Sequence, residues 1–148
     1  DVLRGNHAAK IDDKGRLKIP NAFRALIEKH HGTELFVTSL TGEYVRVYPM
    51  PVWLDIEQKL AGMPSVHPSK LRFLDRVNFF GQVAAMDRQG RIVIPQMLRE
   101  SAAMAGEVSV LGLQNHLAVW NLKRLQDRMF KKEPFTDEDG RLLAEYGI

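Results

Sequence analysis

Cysteine is absent from this 148-residue sequence, which excludes disulfides and thiolate metal sites and fits a reducing compartment. No apolar run approaches the roughly 18 residues of a membrane span. No basic-then-apolar leader opens the chain, so the expectation is a protein that is not secreted and works in the cytoplasm. The first residue is Asp1 rather than Met, which points to a trimmed or altered start. No serine elbow, P-loop or dinucleotide loop is present, so no enzyme chemistry and no cofactor is expected. Metal ligands are also scarce. His30-His31 are adjacent, and adjacent positions do not share a helix face; an interaction with a helix C-terminus fits them better. His7, His67 and His116 are scattered and form neither a triad nor a ligand set.

A large charge of one sign is missing as well, since the net charge is only +3. The charge that exists is unevenly placed. Arg4, Lys10, Lys14, Arg16, Lys18 and Arg24 stand against Asp12 and Asp13 near the start, whereas Glu133, Asp137, Glu138, Asp139 and Glu145 stand against Arg141 at the end. A local basic patch matters more to a polyanionic partner than the total does.

What the sequence does contain is a repeat. Asp12-Asp13-Lys14-Gly15-Arg16-Leu17-Lys18-Ile19-Pro20 returns 75 positions later as Asp87-Arg88-Gln89-Gly90-Arg91-Ile92-Val93-Ile94-Pro95, and Phe23-Arg24 returns as Leu98-Arg99. The chain therefore reads as two copies of one small unit. Gly5–Ile11 is expected to be a strand, residues 12–15 a tight turn with Gly15 at positive φ, and Arg16–Ile19 a half-buried strand with Leu17 and Ile19 inward and Arg16 and Lys18 outward. Pro20 ends that strand. Helices are expected over Asn21–His31, stopped by Gly32, and over Trp53–Ala61 and Leu71–Phe80, the last buried between the halves and closed by Gly81. Strands pair over Leu35–Leu40 and Tyr44–Tyr48.

The second copy repeats the plan. Gln82–Met86 and Arg91–Ile94 flank the turn at residues 87–90. A helix covers Gln96–Ala105 with Gly106 as its stop, strands cover Val108–Leu113 and Leu117–Trp120, and a helix covers Leu122–Phe130. The acidic tail holds a possible helix start at Thr136. Trp53, Trp120 and the phenylalanines sit at apolar spacings and read as core, with Phe79-Phe80 an alternative subunit interface. The implied division is a first unit over 1–61, a connecting helix region over 62–80, a second unit over 81–130 and an acidic tail over 131–148. Halves this small imply intertwined sheets.

Asp12 and Arg16 flank a three-residue turn. Their plainest role is an exposed ion pair worth on the order of 0–1 kcal/mol. The doubling of the pair, and the lysines Lys10, Lys14 and Lys18 around the first copy, favour a functional role. A hairpin carrying outward Arg and Lys can enter a DNA major groove. The Arg fork matches two guanine acceptors, the Asp can hold that fork or accept from a cytosine amine, and Lys14 and Lys18 suit phosphates. The copies differ: Lys18 corresponds to Val93, Lys10 to Ala85, Asp13 to Arg88 and Lys14 to Gln89. The first hairpin is therefore expected to make more phosphate contacts.

The pattern Asp-x-x-Gly-Arg-apolar-x-Ile-Pro-x-x-Phe/Leu-Arg resembles the AbrB-type swapped-hairpin DNA-binding unit. Two such units, with Arg4-Gly5-Asn6 ahead of them, resemble the MraZ family of bacterial transcriptional regulators through about Phe130. Its Asp-x-x-x-Arg signature falls on Asp12/Arg16 and Asp87/Arg91. The resemblance implies an α+β fold, a double-hairpin β-barrel with flanking helices. It also implies ring-like homo-oligomers, a nucleoid-associated location, and binding to short direct repeats upstream of the division and cell-wall gene cluster that contains the regulator's own gene. The expected DNA-binding residues are Asp12, Lys14, Arg16, Lys18, Asp87, Arg88 and Arg91. Two alternatives stand beside this. One is an antitoxin-like module, disfavoured because such proteins usually carry one copy and a long disordered tail. The other is an enzyme or scaffold that uses the doubled turn only for stability.

Overall fold

The computed structural model describes residues 2–148. Its eight strands are β1 (Leu3–Ile11), β2 (Arg16–Lys18), β3 (Glu34–Thr38), β4 (Val45–Pro49), β5 (Gln82–Ala85), β6 (Arg91–Val93), β7 (Gly106–Gln114) and β8 (Leu117–Trp120). All pairings are antiparallel, in one sheet of order β5-β3-β4-β8-β7-β1-β2-β6. The two end strands, β5 and β6, are consecutive in the chain and joined by the turn at residues 87–90, so the sheet curls into a nearly closed barrel. The α+β double-hairpin fold that the family resemblance implies is what forms.

The two copies interlock. β2 pairs with β6, placing Arg16 opposite Val93, Leu17 opposite Ile92 and Lys18 opposite Arg91. The Ile19 N–H donates to the Gly90 carbonyl at 2.9 Å, and the Ile94 N–H donates to the Gly15 carbonyl at 2.9 Å. Each hairpin thus completes the other's backbone hydrogen bonding. Leu17, Ile19, Ile92 and Ile94 all point into the barrel and are almost wholly buried, as alternating strands require. β1 starts at Leu3, earlier than expected, because it runs antiparallel along the whole of β7. Gly112 permits the close approach, since a Cβ there would overlap the backbone of Leu3 and Arg4.

Six α-helices are found among the described residues: α1 (Asn21–His31), α2 (Met50–Ala61), α3 (Pro68–Phe79), α4 (Gln96–Ser101), α5 (Leu122–Asp127) and α6 (Asp137–Ala144). α1 buries Phe23 and Ile27 in the barrel and ends at Gly32, as expected. α2 starts at Met50, three residues before the expected Trp53, with Pro51 in its first turn, where a missing N–H costs nothing. β3 and β4 are covered on both faces. Leu35, Val37, Val45 and Val47 fill the barrel, while Phe36 and Tyr48 face outward onto Trp53 and Val77 of α2 and α3. The Phe36 and Trp53 rings stack at 4.6 Å.

Several expectations are corrected. α3 is not buried between the halves. Only Val77 is fully buried, while Leu71 and Phe79 are exposed, because one face of the helix meets Phe36 and Trp53 and the other is left exposed among the described residues. The helix expected over Gln96–Ala105 stops at Ser101. Ala103 takes φ +54°, and the Ala103 and Met104 N–H groups donate to the Glu100 and Arg99 carbonyls, a Schellman ending with alanine in the usual glycine place. Gly106 opens β7 instead. The helix expected over Leu122–Phe130 gives way at Arg128 to a π-helical turn, Arg128–Lys132. Trp53, Trp120, Phe23 and Phe36 are core, but Phe79, Phe130 and Phe135 are exposed. The helix start at Thr136 does form, with a reciprocal cap between Thr136 and Asp139.

Candidate nucleic-acid interface

The two turns are near-duplicates in geometry. Asp12 Oδ1 accepts from the N–H of Lys14 at 3.0 Å and of Arg16 at 2.8 Å, while Oδ2 accepts from Arg16 Nε at 2.7 Å. Asp87 Oδ1 accepts from the N–H of Gln89 and of Arg91, both at 2.9 Å, and its Oδ2 accepts from Arg91 Nε at 2.8 Å. Gly15 and Gly90 close the turns at φ +78° and +75°. The backbone N–H of the following Arg, with its side chain, holds each carboxyl below the usual carboxylate range. The Asp thus fixes both the turn and one edge of the guanidinium.

The other edge is left open. Among the described residues, the terminal nitrogens of Arg16 and Arg91 enter no hydrogen bond, and both side chains are between a quarter and a third exposed. A guanidinium gripped at Nε and free at its two terminal nitrogens can donate two parallel bonds to a partner with paired acceptors.

Pairing of β2 with β6 rearranges the cations. Lys18 lies directly across from Arg91, whereas Arg16 faces Val93; partners of this kind have Cβ atoms about 5 Å apart. The Lys18 that the first copy contributes therefore stands in the second copy's turn region. Lys14 is at the tip of the first turn and Arg88 at the tip of the second, both exposed. Lys10 lies across from Glu107 on β7 in the strand register.

Arg24 and Arg99 belong to the same region, and the sequence reading left them out of the site. Arg24 Nη2 donates to the Arg88 carbonyl at 2.8 Å, and its side chain lies against Gly90. Arg99 donates to the Ile94 carbonyl, with its guanidinium packed against Gly15. Each Arg supports the turn of the opposite copy, and a Cβ on either glycine would overlap it. The signal that could have found them was their echo at the same offset of 75.

The histidines have structural surroundings. His7 meets Phe23 edge-on at 4.9 Å, His67 caps α3 by accepting from the Ser69 N–H, and His116 stacks on Tyr48 at 4.7 Å. His30 and His31 lie in the last turn of α1. No cluster of potential metal ligands is found among the described residues, and no described helix is long and apolar enough to cross a membrane.

Comparison with known proteins gives one consistent result. A family model described as "MraZ protein, putative antitoxin-like" matches residues 2–76 and again 82–145, once for each copy. A protein of Acidobacterium capsulatum named "Transcriptional regulator MraZ" is 45% identical over 99% of this chain and 100% of its own length. A protein of the same name from Koribacter versatilis is also 45% identical, over 99% of this chain and 100% of its own length. One from Roseiflexus castenholzii is 38% identical over 97% of this chain and 98% of its own. The doubled turn, the interlocked barrel and these matches together make this chain a member of the MraZ family.

Proposed function

We infer that this protein is a sequence-specific, DNA-binding transcriptional regulator that reads duplex DNA through the turns at residues 12–16 and 87–91. The observation that carries this reading is the pair of guanidinium groups, Arg16 and Arg91, each locked at Nε by an aspartate and open at its other edge. That edge suits the two acceptors of a guanine in the major groove. Asp12 and Asp87 act as holders, and Lys14, Lys18 and Arg88 suit phosphates. The relatives' printed name, a transcriptional regulator, agrees with this use.

The working unit is an assembly. The unit over 1–61 and the unit over 81–130 form one reading head, linked by 62–80, with 131–148 as an arm. One head makes few contacts and binds weakly. Several heads in a ring-like homo-oligomer engage successive direct repeats, and effective concentration raises the affinity. The target is the region upstream of the division and cell-wall gene cluster that includes the protein's own gene, and binding there represses it.

The test is titration of duplex DNA from the chain's own upstream region, beside a scrambled duplex, at two salt concentrations. Three phosphate contacts per subunit, from Lys14, Lys18 and Arg88, give a log–log salt slope of about −3 per engaged subunit. A protein using the doubled turn only for stability shows no salt-dependent binding and no preference between the two duplexes.

A further inference from the structure

The C-terminal segment makes a helix that is left largely exposed among the described residues. α6 is capped at both partners of its first turn, with the Asp139 N–H donating to Thr136 Oγ1 at 3.1 Å and the Thr136 N–H donating to Asp139 Oδ2 at 2.9 Å. Both bonds lie within the segment itself, and none of the helix residues is buried. Phe135, Leu142, Tyr146 and Ile148 around it are 57–81% exposed. Asp137, Glu138 and Glu145 form no ion pair among the described residues.

Elsewhere lies a surface with the opposite character. A groove between α3 and the β3–β4 loop has an apolar floor of Leu40, Phe73 and Phe80 and a rim formed by Arg72 and Arg76. Neither arginine meets a carboxylate among the described residues; the only hydrogen bond of either side chain is from Arg76 Nη1 to the Arg72 carbonyl at 3.0 Å. Arg72, Arg76 and Phe80 follow at steps of four, so they share one stripe along the helix. On α6 and the residue after it, Glu138, Leu142 and Glu145 follow at steps of four and three and put two acids and an apolar residue on one stripe, against two arginines and an aromatic residue on the other.

We propose that α6 of one copy docks in the Arg72–Arg76 groove of a neighbouring copy. Leu142 meets the apolar floor, and Glu138 and Glu145 meet the two arginines. The charge match selects the occupant. The chain's own arm lies elsewhere, with Phe135 beside Met129, Phe130 and Pro134 near the π-helical turn. Arm and groove are different surfaces, so the contact is head-to-tail, the kind that closes rings when its rotation allows. This inference rests on the self-association proposed above and supplies its contact.

The test is native mass spectrometry of the full chain without DNA. Four forms are compared: the parent, Arg72→Glu/Arg76→Glu, Glu138→Lys/Glu145→Lys, and all four changes together. The parent assembles, each one-sided variant weakens assembly at least tenfold, and the fourfold variant regains it. An equimolar mixture of the two one-sided variants assembles with the two forms alternating, since the acidic arm of one fits the Arg groove of the other and the Lys arm of the second fits the Glu groove of the first. A monomeric parent overturns both this contact and self-association. An assembled parent with either one-sided variant unchanged, or a fourfold variant that fails to recover, overturns this contact alone and leaves self-association standing.

Discussion

A single residue's role in this protein depends on which side chain stands across the sheet from it, and Lys18 shows this best. By sequence it belongs with Arg16. By pairing it belongs with Arg91. The cations are thus shared more evenly between the turns than the two copies' compositions imply, with Lys14 near one and Lys18 and Arg88 near the other. Charge reversal of Lys14 and Lys18 together is still expected to weaken DNA binding more than Arg88→Glu, reducing the salt slope by about two rather than about one. Equal losses in a salt titration would contradict that. His116 gives a second test at this scale. Burial, followed by the Arg46 charge, lowers its pKa from 6.5 to about 4. The folded state keeps the ring neutral where the unfolded chain takes up a proton, so its contribution is complete above pH 6.5 and declines as pH falls toward 4. Denaturant unfolding across that range should show the decline at less than about 1.4 kcal/mol per pH unit, and His116→Gln should flatten it; a parent curve already flat there would contradict the assignment. Asp12 and Asp87 have lowered pKa values, so their contribution is lost only as pH falls below 3.8.

Among the elements, the hairpins were legible in the sequence because their determinants are local. The Asp and Gly of each turn, and the alternation Leu17/Ile19 and Ile92/Ile94, lie within a few residues of one another. That the copies interlock was expected because each half is too small to stand alone; which strands meet was not legible, because β1 with β7 and β2 with β6 pair over long separations that leave no periodic mark. The end of α4 was hidden for a different reason: alanine rarely takes positive φ, so Gly106 attracted the assignment that Ala103 fulfils. α3 misled because two apolar faces read as buried, whereas only the Val77 face finds partners. The crossed support of the turns gives a prediction. Arg24→Ala should speed amide exchange at Gln89–Arg91 and leave Lys14–Arg16 unchanged, and Arg99→Ala should do the reverse. If each substitution loosened the turn of its own copy instead, the crossed arrangement would be refuted.

As a whole, the molecule is a barrel closed by two hairpins that each need the other, and this is why the site cannot be assigned to one half. Each Asp–Arg pair alone is an exposed ion pair, and exposed pairs contribute little stability. On the proposed function, two such pairs on turns beside paired strands, with their outer edges free, present paired donors to the acceptors of a base. The most direct measurement is the affinity ratio between the upstream duplex and its scrambled control for the parent and for the Arg16→Ala/Arg91→Ala variant, with folding of both confirmed by thermal unfolding. The expected result is a preference in the parent that falls to about one in the variant, while weak, salt-sensitive binding through the remaining cations persists. A folded variant that discriminates as well as the parent would contradict the account and leave the doubled turn a structural feature only.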